Sequence, residues 1–338
     1  MSLKPFIQLL REGRLTALLS AGAELKSFYK LTFLAAAGEA GLLGRLAGGP
    51  VPFDSLAEFY AAAGQGRDAL EAWLQMGVRL RLLSLGPSGY SLRGLARTLA
   101  QPQNDAALAM VQEVAGLHHM LLSATLPKVR KGELWTLADQ DGELIARSSR
   151  VMEAFQADII RKTFPRRGAL RLLEIGCGSG VYLRHAAETN PSLTAIGLEL
   201  QPEVAAMARR NLRNWGLDGR ILIEDGDFRA RPAGELFDIV TLYNNIYYFP
   251  VEERVPLLRR IGAFLKPGGF LLLTTCCQGG SLGVEALNLW GAATRGAGRL
   301  PAQDELADQL RAAGYSSVKV KNLVPGDRFV AFQAFSDR

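Results

Sequence analysis

The stretch Leu172-Leu173-Glu174-Ile175-Gly176-Cys177-Gly178-Ser179-Gly180 limits this chain more than any other. The mostly apolar run from Leu170 to Leu173 reads as a buried strand. Glycines follow at alternate positions, and an amphipathic segment begins at Val181. Strand, tight turn and helix start, in that order, open an α/β unit. Glycine permits positive φ and lets backbone approach a ligand. The N–H groups at a helix start attract anionic or polar groups. The stretch therefore predicts a cradle for a nucleoside-type cofactor. Dinucleotide folds prefer G-x-G-x-x-G. Here the spacing is G-x-G-x-G, with Val181 where the last dinucleotide glycine would fall.

Downstream, apolar runs alternate with helical periodicity, as in a doubly wound α/β sheet. Strands are predicted at 170–175, 194–199, 220–224, 237–242, 269–276, 316–322 and 328–335. The last two are joined by Pro325-Gly326-Asp327 and should pair antiparallel. The second strand ends in Glu199, about twenty residues beyond the glycines, where an acid accepts ribose hydroxyls. A carboxylate suits a diol because it offers two acceptor oxygens.

Four motifs between residues 168 and 338 resemble, in order, those of class I S-adenosylmethionine (SAM) dependent methyltransferases. They are the E-x-G-x-G-x-G phrase, Gly226-Asp227-Phe228, Phe237-Asp238-Ile239-Val240 and Leu265-Lys266-Pro267-Gly268-Gly269-Phe270. The resemblance implies a Rossmann-like α/β domain of seven strands with SAM as cofactor. It implies that Glu174, Gly176, Gly178 and Gly180 hold the methionine end. Glu199 with Leu200 would take the ribose side, and Asp227 with Phe228 the adenine, Asp225 being the alternate acid. Asn244 and Asn245, at the end of the fourth strand, offer a donor and an acceptor each. Asn244 is assigned to the cofactor and Asn245 to the reaction centre.

Residues 3–45 read as helical, broken at Gly48-Gly49-Pro50, with further helices at 54–63 and 67–78. Val78 to Leu83 and Tyr90 to Leu92 flank a turn at Gly86-Pro87-Ser88-Gly89, a hairpin pattern. Three helices and a hairpin make a winged helix. Its candidate recognition helix carries Asp68 and Glu71 among apolar residues, which favours packing over DNA. Helices are predicted at 104–127 and 148–164. The expected divisions are a winged-helix domain at 1–103, a helical linker at 104–167 and the α/β domain at 168–338. Together these resemble the small-molecule O-methyltransferases of plant phenylpropanoid and bacterial antibiotic and pigment biosynthesis. That implies a homodimer through the N-terminal domain, with helices 104–127 and 148–164 lining the substrate cavity.

One departure concerns the base. In that group a His-Asp-Trp-Pro phrase supplies a histidine; aligned on Pro250, this chain has Tyr247-Tyr248-Phe249. A phenol, with a pKa near ~10, is a poor base at neutral pH. Tyr247 is kept as the catalytic candidate beside Asn245, and His119 or His118 on the linker helix as the alternative source of a base. Trp135, Met152, Phe155, Tyr243, Tyr248, Trp290 and His118 are the candidate substrate walls. The architecture favours O-methylation. C- or N-methylation by proximity, or SAM binding without transfer, stays open, and a SAM-sensing DNA regulator is a further reading.

The net charge of +6 comes from scattered residues, so nucleic acid is not an expected partner. No apolar run approaches the ~20 residues of a membrane span, and the first residues lack a signal-peptide layout. A cytoplasmic enzyme without a membrane partner is expected. Cys177, Cys276 and Cys277 form no metal-binding spacing, so no metal is expected.

Overall fold

The structure, a computed structural model, describes residues 4–336. Leu3, where the predicted helical stretch opens, lies outside the described residues. The chain divides into two compact units, the first ending at Leu117 and the second beginning at His118. The expected linker is thus shared out: 104–117 goes with the first unit and 118–167 with the second.

In the first unit, helices Lys4–Arg11, Arg14–Glu39, Leu42–Ala47, Phe53–Phe59 and Gln65–Arg79 precede a hairpin of β1 (Leu83–Gly86) and β2 (Gly89–Leu92). Leu34, Leu42, Leu43, Leu56, Leu74 and Leu83 form its core, and Phe33 stacks on Trp73 with ring centroids 4.4 Å apart. Phe33 sits in that core because the facing helix carries Gly77, where a Cβ would come within 2.4 Å of the Phe33 ring. The predicted strand beginning at Val78 is corrected: the helix continues to Arg79, and only Leu83–Gly86 pairs with the second strand. The alternation of Val78, Leu80 and Leu82 satisfied a strand pattern, yet the i→i−4 bonds of the preceding helix already claim this backbone. Leu80 N–H, for example, bonds Met76 O at 2.9 Å. The first two helices bury nothing before Phe33; Phe6, Ile7, Leu10, Leu18, Leu19, Leu25 and Phe28 are all exposed.

The predicted helix 104–127 is also corrected. It is two helices, Asp105–Glu113 and His119–Arg130, separated by a wide π turn at Val114–His118. The predicted 148–164 helix begins with a 3₁₀ turn at Ser149–Met152 and becomes α-helical at Glu153–Thr163.

The second unit is built on β3 (Leu170–Ile175), β4 (Leu193–Glu199), β5 (Ile221–Asp225), β6 (Phe237–Tyr243), β7 (Leu265–Cys276), β8 (Tyr315–Asn322) and β9 (Phe329–Ser336). They form one sheet in the order β5-β4-β3-β6-β7-β9-β8. β9 pairs antiparallel with β8, as the Pro-Gly-Asp turn predicts, and also with β7. Both faces are covered. Leu172 and Ile239 meet helices Glu153–Thr163, Val181–Thr189 and Pro202–Asn214 on one side. Leu173, Val240 and Leu242 meet Arg254–Gly262 and Gln303–Ala312 on the other. Burial on both faces explains the nearly continuous apolar runs of these strands. The chain crosses away from β3 in both directions, towards β4 and towards β6. A cleft therefore opens beyond the carboxyl ends of these strands.

Candidate functional site

That cleft is a cavity of about 420 Å³. Its floor is the loop after β3. Gly176 (φ +68°) is demanded by its surroundings, since a Cβ there would lie 2.3 Å from Nδ2 of Asn245. Asn245 uses that amide to bond the Ile175 carbonyl at 2.6 Å, tying the end of β6 to the end of β3. Gly178 (φ +53°) differs: a Cβ there would meet nothing within 4 Å, because open cavity lies in front of it.

Glu199 stands at the end of β4 on the cavity wall. Its carboxylate accepts the Gly178 N–H at 2.9 Å and the Gln201 N–H at 3.1 Å. Burial raises its pKa above the ordinary carboxylate value, and these backbone N–H groups oppose the rise. The next wall is Gly226 to Arg229, after β5. Asp227 is held below the usual carboxylate range, first by its hydrogen bonds from Arg229, which also pairs with it at 2.7 Å. Phe228 is buried against Phe264. Asp225, the alternate acid, is outside the lining and pairs with Arg209 at 2.6 Å. Leu200 completes this side, half exposed.

Two motif residues stand behind the wall. Gly180 precedes the helix that starts at Val181 and faces Ala208. Glu174 is 1% exposed, and desolvation raises its pKa well above the usual value. Thr241 is its one hydrogen-bond partner, at 3.5 Å, and its Oε1 has none among the described residues. Burial of this kind disfavours the charged form of a carboxyl.

The opposite end follows β6. Tyr243, Asn244, Asn245, Tyr247, Tyr248 and Phe249 all line the cavity. Asn244 holds a left-handed backbone (φ +52°), which asparagine tolerates better than most side chains. Buried Oδ1 atoms of Asn244 and Asn245 lack partners among the described residues. Tyr247 and Tyr248 stack at 5.1 Å, and Trp290 packs edge-on against both from behind. Burial holds Tyr243 well above the ordinary phenol value. The same cause pushes the Cys177 thiol up, which disfavours its thiolate.

Several sequence candidates stand apart from the cavity. Neither His118, at the end of the π turn, nor the helix that begins at His119 contributes to its lining. Met152 and Phe155 do not reach it either. Trp135 and Trp290 are buried packing residues. The Trp135 indole N–H donates to Thr125 at 3.2 Å. Segments missed from sequence take these places: Leu137, Gln140, Ile145, Ala146 and Ser149 on one wall, and Arg295 with Gly296 at the other end. Nothing in the local sequence pattern of residues 131–142 points at a cavity. Among the described residues no cluster of His, Cys, Asp and Glu fits a metal ion.

The model of the methyltransferase domain matches residues 98–320. The chain belongs to the methyltransferase domain family. Its sheet order and motifs are those of the class I, SAM-dependent methyltransferases. The demethylspheroidene O-methyltransferase of Rhodobacter capsulatus is 30% identical over 193 residues, covering 56% of this chain and 46% of that one. The match thus spans less than half the length of that methyltransferase. The enzyme of the same name from Cereibacter sphaeroides is 28% identical over 298 residues, covering 81% and 76%. The solved structure of the mitomycin 7-O-methyltransferase MmcR shares the fold, with a TM-score of 0.77 at 21% identity over 96% of this chain and 100% of that one.

The residues present fit SAM as this methyltransferase's cofactor. Gly178 leaves a cradle that any side chain would fill. Glu199 still has lone pairs for a diol, and buried amide oxygens of Asn244 and Asn245 await a donor.

Proposed function

We propose that this methyltransferase methylates an oxygen of a small, planar metabolite. Bound SAM supplies a methyl group already activated by its sulfonium centre. Glu199 accepts the ribose hydroxyls, Asp227 the adenine amino group, and Leu200 and Phe228 flank the base. The glycine loop, with Glu174 behind it, receives the methionine end, and Asn244 offers its free oxygen to the ammonium. Asn245, Tyr247 and Tyr248 orient the acceptor, with Tyr243 as further wall. The observation that carries this reading is the Glu199 carboxylate, fixed by Gly178 N–H on the wall of the same cavity that Asn244 to Phe249 close.

Among the described residues no histidine lines the cavity: His118 and His119 lie outside it, and His185 is engaged with Glu153 at 2.9 Å. The proton of the acceptor therefore leaves with little help. That favours an acidic hydroxyl, a phenol or an enol, over an aliphatic alcohol. Orientation and exclusion of water by the aromatic wall then account for most of the rate.

The family likeness and the exposed apolar face of the first two helices support a homodimer through a winged-helix N-terminal unit. No helix among the described residues is long and apolar enough to cross a membrane, and we place the enzyme in the cytoplasm.

The test is transfer from methyl-labelled SAM into small-molecule extracts, alongside S-adenosylhomocysteine (SAH) binding by calorimetry. Labelled product and SAH binding are expected from the native chain. Glu199→Ala should weaken SAH binding by about 100-fold, from two lost hydrogen bonds to a charged acceptor. SAH binding without label in any extract, when a known enzyme labels the same extract, would refute transfer.

A further inference from the structure

The cavity is lined by two arginines in different states. Arg229, at the adenine side, is neutralised by Asp227 at 2.7 Å and faces Glu253 at 3.6 Å. Arg295, at the acceptor end, forms no ion pair or side-chain hydrogen bond among the described residues. Both acids that line the cavity, Glu199 and Asp227, lie at the cofactor end. Arg295 is solvent-exposed on the cavity rim and has no counter-ion among the described residues.

This arginine does not hang from a loose loop. Trp135 bridges to the segment at Thr294: Trp135 N–H bonds Ala293 O and Arg295 N–H bonds Trp135 O, each at 2.8 Å. Gly298 N–H bonds Tyr247 O at 2.9 Å, which ties the segment to the tyrosine pair. Arg254, wholly buried, donates to Phe249 O and to Arg299 O, linking the same two segments. A buried guanidinium carries a desolvation cost, and among the described residues no carboxylate pairs with it directly, Glu305 opposing the cost only from beyond ion-pair distance. It goes to holding the Arg295 segment beside the Tyr247–Tyr248 stack.

We propose that Arg295 reads an anionic group on the acceptor, so that the substrate is a planar hydroxy-arene or enol bearing a carboxylate. The flat guanidinium fork matches a carboxylate, and the tyrosine stack beside it suits a conjugated ring. This rests on the methyltransferase reading above, and the experiment separates the two.

SAH binding is measured first; its absence sinks the methyltransferase reading. SAH-loaded protein is then titrated with 4-hydroxybenzoate, 4-hydroxycinnamate and 3-hydroxy-2-naphthoate, each beside its neutral amide. At least one acid should bind about tenfold tighter than its amide, as expected of a charge-assisted pair. That gap should shrink with added salt, collapse in Arg295→Gln and survive in part in Arg295→Lys, while SAH affinity stays unchanged in both variants. Equal treatment of acids and amides by the native chain, failure to bind either included, overturns the proposal. So does a gap that Arg295→Gln leaves intact.

Discussion

At the cofactor end of the cavity, each functional residue sits at or just after the carboxyl end of a parallel strand: the glycines after β3, Glu199 on β4, Asp227 after β5. At the acceptor end the walls come from 245–249 and 295–296, with Gln140 reaching Tyr248 at 3.4 Å, segments far apart in the chain. The first end is fixed by strand order. The second depends on how connecting segments pack. A fold of this kind keeps its cofactor residues in recognisable phrases and leaves the acceptor residues free to differ.

The comparison can be broken most forcefully at Gly176. If the cofactor end is rigid, Gly176→Ala should destabilise the protein by roughly 2–3 kcal/mol, from a left-handed alanine and a lost Asn245 hydrogen bond. A thermal melt several degrees lower, with SAH binding lost, is the expected result. An unchanged melting point would mean that the loop yields, and that its glycines are not what holds the site.

A smaller effect tests the buried acid behind that loop. The unfolded Glu174 carboxyl ionises near its usual 4.5, whereas the folded one, raised by desolvation, ionises only at higher pH. Stability from this group is therefore present below the unfolded value and lost as pH rises through the folded one. Glu174→Gln removes that loss. The cofactor-free variant should melt above the native protein at pH 8, and the gap should narrow towards pH 4, while SAH binds less tightly. A gap that is constant with pH would show that Glu174 titrates like an exposed acid.

The smallest effect belongs to the acceptor end. If Tyr247 orients and does not deprotonate, Tyr247→Phe should leave kcat within about threefold, against the roughly 100-fold or greater loss expected of a general base. A loss of that larger size, with a shifted pH profile, would make the phenol the base and end the argument for an acidic acceptor.

Much of the second unit was legible because its strands are buried on both faces. Leu170–Ile175 and Phe237–Tyr243 lie within a residue of the predicted 170–175 and 237–242, since apolar runs end where the chain leaves the sheet. The winged hairpin was misread at Val78–Leu82 because alternation alone does not separate a strand from the last turn of a helix. Met152 and Phe155 were named from an amphipathic helix, but periodicity says only that a face is buried. In this case Ile159 and Ile160, on the same helix, pack on the sheet.

The local order of residues determined the glycine loop, the acid at the end of β4 and the reversed final strand, because each is written within one strand and its following turn. Only the tertiary structure could decide that Glu174 lies sealed behind the cavity, that the histidines fall outside it and that Arg295 stands at its far end. Those facts depend on distances between segments that lie far apart in the sequence, such as Glu174 and Thr241, 67 residues apart. Packing sets such distances, and no local pattern encodes them.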